Sequence, residues 1–148
     1  MEHLQKIEDN LYLGSMAATQ PEILKKYGIT YVIHIGFELN FINENEDTSL
    51  NNIKEEYIEL EDNAQSVDNM MNVSEYVVRK IKELIKTETI LVCCVAGRSR
   101  SASMITLYLH DKYPDLTYEE IIGKIKKVRS ISINKTFEDA IRSRFLRK

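Results

Sequence analysis

Cys94 and Arg100 stand six residues apart, with Gly97 between them and Ser101 directly after, so that a sulfur nucleophile and a forked cation share one short loop. The apolar run Ile90, Leu91, Val92 has the short, β-branched character of a buried strand. From Ser101 an apolar helical segment continues through Met104, Ile105, Leu107, Tyr108 and Leu109. Strand, tight loop and helix therefore follow in order, and Cys94 falls at the carboxyl end of the strand, where open α/β sheets place their ligand crevices. The loop of Val95, Ala96, Gly97, Arg98 and Ser99 is suited to aim backbone amides inward at a helix amino terminus. That arrangement makes an anion site, and the helix dipole reinforces it. Arg100 completes the cradle, because a planar guanidinium binds two oxygens of one tetrahedral oxyanion at once. The same field favours Cys94 as thiolate over thiol and makes it a nucleophile.

Each assignment has a plainer counterpart. Cys94 could be an inert cysteine ending a core strand, Arg98 a solvated side chain or a group that meets an acidic substrate at the rim, and Ser101 a helix cap. Alternation along the strand turns Cys93 away from Cys94, so packing is its default role. Under oxidation, however, the two sulfurs could form a strained ring disulfide that protects Cys94.

The run Cys94-Val-Ala-Gly-Arg-Ser-Arg100-Ser101 resembles the signature of the cysteine-dependent protein tyrosine phosphatases, and within them the small, atypical dual-specificity phosphatases. A cysteine and an arginine at this spacing arise by chance in about one chain in ten of this composition, so the surrounding agreement carries the resemblance. Leu11-Tyr-Leu-Gly-Ser-Met-Ala-Ala is similar to the family's opening strand and turn, Gly28-Ile-Thr-Tyr-Val-Ile to its next strand, and Val128-Arg129 through Asn134 and Phe137 to its last helix junction. The resemblance implies a two-step reaction without a cofactor. Cys94 would attack phosphorus, Arg100 and the amides of residues 95–100 would bind the phosphate, and Asp62 would donate a proton to the leaving oxygen. Ser101 would help the thiolate depart when water resolves the phosphocysteine. Asp68 is the rival proton donor. One position departs from the family, which carries histidine where this chain has Cys93; Cys93 supplies no cation, which predicts a slower enzyme or one with a more alkaline optimum.

The elements that must position these residues are legible around them. Ile7 and Leu11–Leu13 read as short strands, and Thr19-Gln-Pro-Glu22 as a capping box opening a helix that Gly28 closes. Tyr31–Ile35 reads as a buried strand, and Phe37–Asn52, rich in asparagine and acids, as a long excursion that could border the site. Tyr57–Leu60 reads as another strand. Between Asp68 and Lys86, Val73, Val77, Ile81 and Leu84 recur at helical spacing. Thr117-Tyr-Glu-Glu120 caps a further helix with Ile121, Ile122, Ile125 and Val128 inward, and Asn134 caps the last.

These alternating elements predict an α/β fold, one domain over residues 1–148, with a central mostly parallel sheet flanked by helices in the manner of the protein tyrosine phosphatases. Hydrophobic content of 43% and charged content of 29% are those of a soluble globular protein. No apolar run reaches the length of a membrane span, and the first twenty residues lack the apolar core of a secretion signal. Both cysteines are adjacent and cannot staple distant segments, which suits a reducing, cytoplasmic setting. His3, His34 and His110 lie in no motif, and no metal site is expected. Charge is uneven: residues 121–148 hold nine Lys or Arg against two acids, a balance of +7 in a chain of net −3, leaving −10 for residues 1–120. Lys124, Lys126, Lys127, Arg129, Arg142, Arg144 and Arg147 read as a solvated helical face, and no aromatic interleaving suggests base stacking.

The expected substrate is a phosphorylated protein, because Val95 and Ala96 are neutral where phosphoinositide-directed relatives carry lysines. Phosphatases of RNA 5′-phosphates or phosphoinositides, and a pseudophosphatase that binds phosphoproteins without turnover, stay as alternatives. Oligomeric state and the choice between phosphotyrosine and phosphoserine or phosphothreonine stay open.

Overall fold

A computed structural model describes residues 3–36 and 53–146, so the expected excursion Phe37–Asn52 and the basic Arg147 lie outside the described residues. The chain opens with strand β1, Leu4–Glu8, and turns at Asp9–Asn10. Asn10 takes the left-handed φ of 66° that asparagine tolerates. Strand β2, Leu11–Ser15, returns antiparallel to β1. Helix α1, Pro21–Tyr27, starts with proline at its first position and ends at Gly28, whose φ of 69° lets its N–H turn back to the carbonyls of Leu24 and Lys25. Its amino-terminal cap is Gln20 rather than Thr19. The Thr19 hydroxyl instead closes a 3-10 turn by donating to the Met16 carbonyl at 2.7 Å.

Strand β3, Tyr31–Gly36, is buried throughout, and β4 spans Lys54–Glu59, three residues earlier at its start than the apolar pattern suggests. Helix α2, Val67–Leu84, buries Met70, Ser74, Val77 and Ile81, while Val73 and Leu84 are only half-buried at the edges of that stripe. Strand β5 is Ile90–Cys94 and helix α3 Arg100–Lys112. Helix α4, Tyr118–Lys126, carries both halves of the expected capping box. Helix α5, Lys135–Leu146, follows Asn134, whose side-chain oxygen accepts the Phe137 N–H at 2.9 Å. Val128 falls beyond α4 and is 45% exposed, so it does not extend the inward row of Ile121 and Ile125.

The strand order is β1-β2-β5-β3-β4, with every pairing parallel except the first. β5 is thus central, with Cys93 opposite Gly14 on one side and His34 on the other. Ile90, Val92 and Cys94 face the larger apolar core, which they share with residues of α2, α3, α4 and α5, whereas Leu91 and Cys93 face a smaller one with Leu24 of α1. This alternation is the period of two that any extended strand imposes. Helix α3 is buried around most of its surface because it lies under the sheet and is covered by other helices, its residues 101–109 all buried. No described helix is long and apolar enough to cross a membrane.

Candidate active site

Burial of β5 between two neighbours places Cys94 at the end of the central strand, 3% exposed, with the chain turning at once into the loop that leads to α3. Its sulfur lies 3.1 Å from the Ser101 hydroxyl and accepts the Ser101 N–H at 3.4 Å. Ser101 is therefore inside the first turn of α3 and directed at the sulfur; the helix cap is Ser99, not Ser101.

The loop's shape follows from where its carbonyls go. The Val95 carbonyl accepts the Met16 N–H at 3.2 Å, and the Arg98 carbonyl the Ser132 N–H at 2.9 Å. Arg129 takes the two between, donating from Nη2 to Ala96 at 2.9 Å and from Nε to Gly97 at 2.8 Å. The Ser99 carbonyl accepts from the N–H and the hydroxyl of Ser103, both at 2.8 Å. None of the described peptide bonds is cis, so each N–H points opposite the carbonyl that precedes it. Five carbonyls held outward thereby turn the amides of residues 96–100 to the concave side, an arrangement that binds anions. Gly97 is required on two counts: its φ is +68°, and a β-carbon there would lie 2.5 Å from the Gly14 backbone and 2.7 Å from the Arg129 guanidinium.

Arg129 is the residue that sequence reasoning misplaced. Assigned to a solvated basic face, it is only 5% exposed and clamps the loop, with its third nitrogen donating to Gln5 Oε1 at 2.6 Å. Burial lowers its pKa from the ordinary value, while the nearby Cys94 opposes that shift. The only signal available was its place in the Val128–Phe137 stretch, since its neighbours Lys126 and Lys127 are exposed as a charge pattern predicts.

Arg100 and Asp62 are brought to the same place from far apart in sequence. Arg100 Nη1 donates to the Leu60 carbonyl at 3.1 Å, two residues before Asp62, and the Leu60 N–H is in turn held by the Gly36 carbonyl at the end of β3. Asp62 Oδ1 accepts from the Ser99 hydroxyl at 2.8 Å and from Asn134 Nδ2 at 2.6 Å. Asp68, by contrast, sits exposed in the first turn of α2. Val95, Ala96 and Arg98 are exposed along the loop. Hydrogen bonds thus tie Ser101 to the Cys94 sulfur, Asp62 to Ser99 of the loop and Arg100 to the Leu60 carbonyl, although Asp62 precedes Cys94 by thirty-two residues.

Behind the loop, Cys93 is 1% exposed, and its sulfur lies 3.6 Å from His34 Nδ1. The other His34 nitrogen meets Glu55 Oε1 at 2.9 Å, and its ring stacks on Tyr57. Burial, followed by the charges of Cys94 and Glu55, pushes the Cys93 thiol well above its ordinary value, so it stays neutral. Cys93 and Cys94 project from opposite faces of β5 into different cores. A ring disulfide between them would require the strand to leave its ladders with β2 and β3. Among the described residues, no cluster of three His, Cys, Asp or Glu side chains could hold a metal ion.

A family model described as the catalytic domain of dual specificity phosphatases matches residues 11–143 of the chain. Over 131 residues, 88% of this chain, the sequence is 30% identical to a Dictyostelium discoideum protein named "Probable dual specificity protein phosphatase". Over 139 residues, 85% of this chain, it is 25% identical to Dual specificity protein phosphatase 1 of Arabidopsis thaliana. The chain spans 31% of the length of the first relative and 60% of the second. Among solved structures, that of DUSP15 has a similar fold, with a TM-score of 0.81 at 22% identity over 97% of this chain and 88% of that one.

Proposed function

The chain belongs to the dual specificity phosphatase family, and on that premise we propose that residues 1–148 act as one catalytic domain hydrolysing phosphotyrosine, phosphoserine or phosphothreonine esters in phosphoproteins through a phosphocysteine. The observation that carries the reading is the loop whose five carbonyls are held outward around the buried Cys94 sulfur. In the first step the Cys94 thiolate attacks phosphorus, an S–P bond forms, and the ester P–O bond breaks. The loop amides and Arg100 hold the equatorial oxygens, and Asp62 gives its proton to the departing oxygen. In the second step water attacks the phosphocysteine, Asp62 as carboxylate takes a proton from it, and the S–P electrons return to sulfur. The Ser101 hydroxyl, 3.1 Å from that sulfur, stabilises the thiolate as it leaves.

The exposed Val95 and Ala96 add no cation to the loop, which favours a phosphoprotein over an inositol lipid. The neutral Cys93 makes the enzyme slower than its histidine-bearing relatives, and a cytoplasmic, reducing setting keeps both thiols free.

Hydrolysis of para-nitrophenyl phosphate by the natural protein and by Cys94→Ser tests the proposal. Turnover should fall by at least about a thousandfold in the variant, the scale on which a lost nucleophile acts. Turnover unchanged in Cys94→Ser would overturn it. A folded natural protein that binds phosphopeptide without hydrolysing it would make the chain a phosphoprotein-binding module, the reading that the departure at Cys93 favours.

A further inference from the structure

Asp62 is exposed, yet its carboxylate is held by two donors from distant parts of the chain, Ser99 of the phosphate loop and Asn134 of the α4–α5 connection. Every hydrogen in this group can be assigned from chemistry. Asn134 Oδ1 accepts the Phe137 N–H at 2.9 Å, so it is the carbonyl oxygen, and the amide nitrogen must face Asp62. The Asn134 backbone N–H donates to Ser99 Oγ at 3.0 Å, so the Ser99 hydroxyl hydrogen is free to go to Asp62. Both donors end on the same oxygen, Oδ1, at 2.6 and 2.8 Å. Whenever Asp62 carries a proton, the oxygen that accepts both bonds is its carbonyl oxygen and the proton sits on Oδ2.

We propose that Asn134, with Ser99, is a positioning residue for the general acid: it holds Asp62 Oδ1 as acceptor in both protonation states and so makes Oδ2 the oxygen that delivers and recovers the proton. The inference rests on the reading of Asp62 as the acid. The physical reason is that a side chain exposed to water would otherwise share its time among rotamers and between two equivalent oxygens, and a proton donor works only where its geometry is held. Because Asn134 also caps α5, the helix that closes the core over α3 fixes the position of the acid.

The test separates positioning from structure. Asn134→Ser keeps a capping oxygen for the Phe137 N–H but has no amide to reach Asp62, and Asn134→Thr is carried in parallel so that a folding defect in one variant does not decide the result. Initial rates are measured with para-nitrophenyl phosphate, whose phenolate leaves readily, and with phenyl phosphate, whose leaving group needs the proton. Asp62→Asn should lose about a hundredfold on phenyl phosphate and only a few-fold on the nitrophenyl ester. Asn134→Ser should lose about tenfold on phenyl phosphate with KM little changed, and under about threefold on the nitrophenyl ester; added to Asp62→Asn it should cause no further loss. An equal fall on both esters, or full additivity with Asp62→Asn while Asp62→Asn itself shows the leaving-group dependence, would overturn the role of Asn134 alone. An Asp62→Asn variant that treats both esters alike would overturn the acid reading, and the proposal with it.

Discussion

At the scale of single residues, the site depends on side chains that shape a backbone as much as on those that react. Arg129 satisfies the carbonyls of Ala96 and Gly97 with one guanidinium, while Gly97 supplies a conformation that a larger residue could not adopt in that space. Arg129→Met keeps much of the stem's packing and removes the hydrogen bonds to Ala96, Gly97 and Gln5, leaving two loop carbonyls without these donors. The expected cost is about 2–4 kcal/mol of stability, read from urea unfolding, because buried acceptors lose their partners. Amides that no longer point inward should also bind inorganic phosphate at least about tenfold more weakly, a change of roughly 1.4 kcal/mol, read as its inhibition constant.

At the scale of elements, the caps decide where the helices begin and therefore where their connecting loops meet the site. In α4 the Thr117 hydroxyl accepts the Glu120 N–H at 3.1 Å, and the Glu120 carboxylate accepts the Thr117 N–H at 2.9 Å. Arg129 follows shortly after the end of α4, so this cap stabilises the helix leading to the clamp. Thr117→Ala is expected to cost about 1 kcal/mol and to lower the melting temperature by roughly 2–4 °C, with turnover unchanged because no atom of Thr117 meets the loop. The cap expected at Thr19 failed for a reason of the same kind. The Met16 N–H is taken by the Val95 carbonyl, which holds a 3-10 turn ahead of α1 and delays the helix to Pro21.

At the scale of the whole molecule, part of the excess positive charge of residues 121–148 is met by acids from elsewhere. Arg142 meets Glu119 at 2.6 Å and Arg144 meets Glu75 at 3.5 Å. Glu8, at the end of β1, joins Lys112 and Tyr113 at the end of α3 and lies 3.7 Å from Lys124 of α4. Burial alone would raise the Glu8 carboxyl, but these partners outweigh it and hold the group below its ordinary value of 4.5. A folded-state value below the unfolded one gives stability that is present above pH 4.5 and lost as pH falls through the folded value. Glu8→Gln is therefore expected to cost about 1–2 kcal/mol near neutrality. The difference from the natural protein should shrink progressively in unfolding curves taken below pH 4.5.

Local chemistry was enough to read the strand, loop and helix from Ile90 onward, with Cys94 ending the strand and Arg100 and Ser101 opening the helix. Those features depend on residues adjacent in the chain, where β-branching, glycine and helical spacing act directly. The same was true of the capped helix at Thr117 and of Asn134 as a cap, whose hydrogen bonds span three residues. Contacts across the fold were not legible. The buried place of Arg129, the link from Arg100 to Leu60, the half-buried edges of α2 and the placing of Cys93 against His34 arise only when distant strands and helices pack. The sequence alone was enough to place Cys94 at the end of a buried strand and Arg100 and Ser101 at the start of the helix that follows. Tertiary structure decided which carbonyls are turned away and which donors hold Asp62, because a hydrogen bond depends on where two groups meet in space and not on how many residues separate them.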